Sequence, residues 1–138
     1  MDNKTGEIIN CTPHEIVFFK EEDCYSTDGR KLFLRDGAVP SEKIPAGVPL
    51  NAVKKNLKVS PERAAINYGV PLVGAVVFES CDPLPPAKKD TIFVVSNMYR
   101  AARLEMNMPT TDCATVDGVV YENAANPKPV GCLRLAVG

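Results

Sequence analysis

Between Asp90 and Glu105 the sequence DTIFVVSNMYRAARLE changes its period. Thr91–Val95 is apolar, β-branched or aromatic at nearly every position, the composition of a strand covered on both faces. Ser96 stands where that pattern stops. Met98–Glu105 then collects Arg100, Ala101, Ala102, Arg103 and Leu104, all strong helix formers. A serine at such a boundary is a good N-cap, because its hydroxyl accepts a free backbone N–H of the first turn. The passage from this helix into the later strands suggests that the helix packs across a mixed sheet.

The rest of the chain supplies further strands. Glu7–Cys11, Glu15–Lys20, Arg30–Arg35, Leu72–Glu79, Gly118–Glu122 and Val130–Val137 all read as extended segments, and Leu72–Glu79 as a buried one. Asp28-Gly29 is a hairpin-type turn signal. Asp36–Pro49, with Gly37, Pro40, Pro45, Gly47 and Pro49, reads as a long loop, and Met108–Thr115 as an extended one. Leu50–Val59 fits a strand or a short helix. Ser60-Pro61-Glu62-Arg63 looks like a brief helix start, with Ser60 as cap and Pro61 in the first turn. Twelve prolines keep helices short. The expected fold is α+β: a small mixed, mostly antiparallel sheet with one principal helix, in a single domain spanning residues 1–138.

Composition narrows the function classes. The net charge is −1, which argues against sequence-independent binding of a nucleic-acid polymer. Tryptophan is absent and aromatics are few, so broad base-stacking platforms are not expected. The five cysteines (Cys11, Cys24, Cys81, Cys113 and Cys132) are irregularly spaced without a CxxC pair and read as reduced core thiols. With His14 the only histidine, no metal site is expected. The leader lacks the pattern of a secretory signal, and no run reaches the ~20 apolar residues of a membrane span. A soluble cytoplasmic protein with no membrane partner is the expectation.

The strand-to-helix corner is the first candidate site. A helix start presents unpaired N–H groups and a partial positive charge, on which phosphates and carboxylates settle. Asn97, Arg100 and Leu104 share a face, with Arg103 beside them, so an arginine near the start can fork onto an anion docked at Ser96 and Asn97. The alternative is that these arginines are ordinary solvated helix residues. Thr12-Pro13-His14 is the second candidate. A strand broken by proline can turn a hydroxyl and an imidazole outward, where His14 could donate to a phosphate or act as acid or base. Equally, Thr12 could bond its neighbouring backbone in a plain turn. Arg63 is a reserve cation by the same anion logic. No catalytic set is assigned: Ser96 lacks the GxSxG elbow, and Walker and dinucleotide glycine motifs are missing. A thiol–imidazole pair would have to use Cys11 or Cys132.

Several short motifs resemble those of a family of small phage and prophage accessory proteins. Asn10-Cys11-Thr12-Pro13-His14 matches an opening N-[LC]-T-P-H pattern, and Gly69-Val70-Pro71 a central G-x-P before an apolar strand. Pro83–Pro86 and Thr91–Ser96 match a proline-rich step into a strand ending V-S before a helix. Gly131-Cys132 with Leu135 matches a closing G-C-x-x-L strand. Relatives often carry an R-D pair after the helix, whereas here Arg103 is followed by Leu104 and Glu105. The resemblance implies an anti-defence protein that binds and sequesters a small phosphorylated immune signal, cyclic-nucleotide or ADP-ribose-derived, as a homo-oligomer in the host cytoplasm, without a cofactor. The ligand-binding residues on that reading are Thr12, His14, Ser96, Asn97, Arg100, Arg103 and Arg63. Two alternatives stand beside it: a hydrolase of the same class of signal with His14 as acid or base, and a protein–protein inhibitor with no small ligand.

Overall fold

The structure, a computed structural model, describes residues 6–57 and 74–138. Strands β1 (Glu7–Asn10), β2 (Ile16–Phe18), β3 (Cys24–Tyr25), β4 (Leu32–Leu34) and β5 (Glu42–Ile44) precede a ribbon of β6 (Ala52–Asn56) and β7 (Val76–Cys81). Then come β8 (Thr91–Val94), helix α1 (Asn97–Glu105), β9 (Cys113–Tyr121) and β10 (Pro129–Val137). The large sheet runs β1-β8-β9-β10-β2-β5. The strand β4 joins the C-terminal part of β9, and β3 pairs with β4. The ribbon forms a separate two-stranded sheet.

This corrects the expected α+β fold with a mostly antiparallel sheet. Of the described residues, 41% lie in strands and 10% in helix. In the large sheet, β1–β8, β8–β9, β4–β9 and β2–β10 pair parallel, against antiparallel β9–β10, β2–β5 and β3–β4. Alternation and β-branching reveal which segments are extended but not which strand each one meets. Here the Thr12–His14 turn sends β2 away from β1, and each finds a partner far along the chain. Local readings shift for similar reasons. The segment read as a loop from Asp36 to Pro49 contains β5, Leu50–Val59 contributes strand β6, and β9 begins at Cys113 inside what reads as a loop. The β7 segment is half open, with Val76 58% exposed, because the ribbon has one uncovered side.

The central strand behaves as its composition demands. Phe93 and Val95 pack on one face with Cys11, Cys113 and Tyr99 of the helix, joined by Ile9, Leu50, Cys81 and Leu84. Val94 points to the other face and meets Ile16 and Cys132. Since β8 and β2 are separated by β9 and β10 in the sheet, the gathering of Val94, Ile16 and Cys132 into one cluster goes with a sheet curled almost closed. A third cluster, Phe19, Cys24 and Val120, fills the end covered by β3 and β4.

Helix α1 buries Tyr99, Ala102 and Arg103, the i, i+3, i+4 stripe of an amphipathic helix, and lies against β7, β6 and β9. No helix among the described residues is long and apolar enough to cross a membrane.

Candidate functional site

The parallel pairing of β1 with β8 sets the geometry of the site. Asn10 is opposite Val94, and one further ladder bond follows, Cys11 N–H to the Val94 carbonyl at 2.8 Å. Both strands then finish at the same end of the sheet. From β1 the chain turns through Thr12-Pro13-His14, and from β8 it enters α1 at Ser96.

Asn10, 6% exposed, controls the turn. Its Oδ1 accepts from Thr12 N–H at 3.0 Å and from the Thr12 hydroxyl at 2.7 Å. Its Nδ2 donates to the carbonyls of His14 at 2.8 Å and Pro45 at 3.0 Å. The carboxamide thereby uses both of its donors and both of its acceptor positions. The Thr12 hydroxyl also lies 3.1 Å from the His14 carbonyl, so every acceptor recorded for its proton belongs to the turn itself. His14 is exposed, and no hydrogen bond to its imidazole is found among the described residues.

At the helix start, the Ser96 hydroxyl accepts Tyr99 N–H at 3.1 Å, the N-cap bond read from the sequence. Arg100 N–H closes the first helical turn on the Ser96 carbonyl. The N–H groups of Asn97 and Met98 have no acceptor within the helix by its geometry, and both residues are exposed. Arg100 is half-buried, its Nε donating to the Gly138 carbonyl. Arg103 turns inward: it is 8% exposed and its Nε donates to the Pro109 carbonyl at 2.8 Å, beyond the helix C-terminus. A cation there complements the negative end of the helix. Its neighbour Tyr99 is fully buried and donates its hydroxyl proton to the Asp82 carbonyl at 2.6 Å.

The seven residues singled out by sequence therefore separate. Thr12, His14, Ser96 and Asn97 lie at one end of the β1–β8 pair, with Arg100 on the adjoining helical turn. Arg103 is on the inner face of the helix, and Arg63 lies outside the described residues. Asn10 was missed as a controlling residue. The signal was present, since a short amide two residues before a threonine at a strand end is an Asx-type turn former. Gly47 was also missed. Its N–H donates to the Thr12 carbonyl at 3.0 Å, and a Cβ there would overlap the Asn10 carbonyl oxygen.

The thiols offer no nucleophile beside this turn. Burial pushes the Cys11 thiol up, with Cys113 adding to the rise, and burial does the same to Cys132 and Cys113. A buried thiol that holds its proton is a packing group. Among the described residues no cluster of three His, Cys, Asp or Glu side chains is placed to hold a metal ion.

Compared with protein-family models, with curated proteins and with solved structures, the chain gives no match.

A shallow cleft of about 460 Å³ lies elsewhere, lined by Phe19, Lys20, Glu21, Glu22, Ser41 and Arg134 among others. It contains none of the residues singled out by sequence. Its charges oppose one another, and Arg134 is already paired with Asp117 at 2.7 Å. A cleft of mixed sign with its arginine engaged is poorly suited to an anion.

Proposed function

We propose that the chain is a phage-type anti-defence protein that binds a small phosphorylated signal, cyclic-nucleotide or ADP-ribose-derived, and sequesters it intact in the host cytoplasm. The observation that carries this reading is the β1–β8 register, which brings the Thr12–His14 turn to the end at which α1 begins. Support comes also from the N–H groups of the exposed residues Asn97 and Met98, which have no acceptor within the helix, and from the Arg100 guanidinium one turn on, a setting in which a phosphate is favoured. Arg103 is left out of the proposed site, because it is buried on the inner face of the helix, whereas Arg100, though its Nε donates to the Gly138 carbonyl, is only half-buried. The working site is Thr12, His14, Ser96, Asn97 and Arg100.

The reading includes a homo-oligomer. The strands β1 and β5 are the ends of the large sheet, and the ribbon exposes Val53, Leu57 and Val76 at 50%, 49% and 58%. Open edges and apolar side chains of this kind are commonly covered by another copy.

The test is calorimetric titration with cyclic dinucleotides and cyclic ADP-ribose isomers, followed by heat denaturation and chromatography of the released nucleotide. A sponge binds one of these probes and returns it unchanged, and Arg100→Ala weakens that binding. Recovery of cleaved products, abolished by His14→Ala, would replace sequestration with hydrolysis. Absence of heat on every probe, with a host protein captured instead, would leave the protein–protein inhibitor. Light scattering on the purified chain reads the number of copies.

A further inference from the structure

We infer that residues 45–50 form a strap that closes the curled sheet and opens as a unit, independently of the rest of the fold. The strap spans the gap between the end of β5 at Ile44 and the start of β6 at Ala52. It crosses the end of β1, the opposite edge of the sheet, and so bridges the two edges that the curl brings towards each other.

Among the described residues its hydrogen bonds to the rest of the fold are few. Asn10 Nδ2 holds the Pro45 carbonyl at 3.0 Å, Gly47 N–H donates to the Thr12 carbonyl at 3.0 Å, and Leu50 N–H donates to the Cys11 carbonyl at 3.1 Å. Pro45, Ala46, Gly47 and Val48 are exposed, Val48 to 83%, so these residues contribute little apolar burial. Leu50 is the exception, packed on the cluster of Cys11, Phe93 and Tyr99. Segments fastened by a few hydrogen bonds and little buried apolar surface open at far lower free energy than the core.

Both ends are anchored to structure that stays. Ile44 is paired with Ile16 in the sheet, and Asn51 N–H donates to the Asp82 carboxylate at 2.7 Å, with Asp82 N–H returning to the Asn51 carbonyl at 2.8 Å. Pro45 and Pro49 stiffen the span between these anchors, which favours movement as one piece. Opening lifts Leu50 from its cluster and uncovers Cys11, which is 5% exposed when the strap is closed. Cys113 and Cys132, at 0% and 2%, stay covered by strands that the movement leaves in place.

Native-state thiol labelling of the full chain, read site by site by mass spectrometry, tests this. Cys11 is expected to react at least about tenfold faster than Cys113 and Cys132, since a local opening requires less free energy than a global one. Asn10→Asp keeps both contacts to Thr12 but sets an oxygen against the Pro45 and His14 carbonyls. It is expected to speed Cys11 labelling a further roughly tenfold, about the worth of one hydrogen bond, and to speed Cys113 and Cys132, which label through global opening, by no more than that factor, so that Cys11 remains the fastest of the three. Should that variant fail to fold, amide exchange of the wild-type chain gives the same information: Gly47 and Leu50 N–H exchange together, and well before Val95 N–H. Labelling of all three thiols at one common rate, or exchange of Gly47 and Leu50 at the rate of Val95, would overturn the strap.

Discussion

Ser96 carries two loads at once. Its hydroxyl satisfies Tyr99 N–H, and its position opens the exposed helix start on which the ligand reading depends. Ser96→Ala removes the cap and is expected to cost about 1 kcal/mol, or roughly 4 °C in Tm for a chain of this size. Ser96→Asp restores the cap bond and should recover the stability. It also puts a negative charge where an anion would sit, so binding of the phosphorylated probe should fall although the fold is intact. Thermal melts together with titration of the two variants separate the roles. Equal binding by Ser96→Asp and the wild type would remove the helix start from the site. Tyr99 presents the complementary case of a polar atom used only for the fold. Its buried hydroxyl ties the helix to the Asp82 carbonyl, and Tyr99→Phe should cost about 1 kcal/mol in a denaturant titration, with no effect on ligand binding. The cap was legible in the sequence because its signal is local: a serine before a helical period. The inward turn of Arg103 was not, because only tertiary contacts decide which arginine of a short helix meets solvent.

At the scale of the element, β9 is the most informative. Its sequence suggests a short strand over Gly118–Glu122 after an extended loop over Met108–Thr115. The strand in fact starts at Cys113 and continues through Gly118, which has a φ of +68°. On one side of that glycine β9 pairs with β8 at Cys113 and Ala114, and on the other it pairs with β4 at Val120 and Tyr121. Gly118 is thus the bend at which one strand passes from one parallel neighbour to another. A Cβ at this position would meet the Leu133 side chain at 3.1 Å, in a backbone region that L residues enter at a cost. Gly118→Ala is expected to destabilise by about 1–2 kcal/mol, and chemical denaturation followed by circular dichroism would measure it. A neutral result would mean that the bend is imposed by the neighbouring strands without help from the glycine. The same long-range dependence explains the misjudged sheet. Thr91–Val95 announced a buried strand, but nothing within Glu7–Asn10 or Leu32–Leu34 specifies parallel pairing with β8 or β9. The Thr12–His14 turn was legible as a break, while the carbonyl that Asn10 reaches at Pro45 lies 35 residues away.

For the whole molecule, the buried groups whose ionisation the fold opposes are ones that titrate on the alkaline side. The ion pair Arg134–Asp117 is exposed on both sides, at 60% and 47%, and such pairs contribute little. The core instead holds acids that prefer their neutral form. Burial pushes up the thiols of Cys11, Cys24, Cys113 and Cys132 and the phenol of Tyr99, and Arg103 only partly offsets the rise at Tyr99 and Cys113. The direction of the linkage follows from this. Below the ordinary thiol value of 9.0 both folded and unfolded chains are protonated, and the full stability is present. Above it the unfolded chain releases protons that the native core retains, so stability falls as pH rises until the native groups also titrate. The slope reaches at most about 1.4 kcal/mol per pH unit for each group. Melting temperatures in reductant should therefore be level from about pH 7 to about pH 8.5 and drop steeply beyond. Cys132→Ala removes one contributor and should make the alkaline drop shallower, after allowance for its own packing cost. The same Tm at about pH 10.5 as at about pH 8 would show that the thiols gain no protection from the fold, contrary to a closed core on both faces of β8.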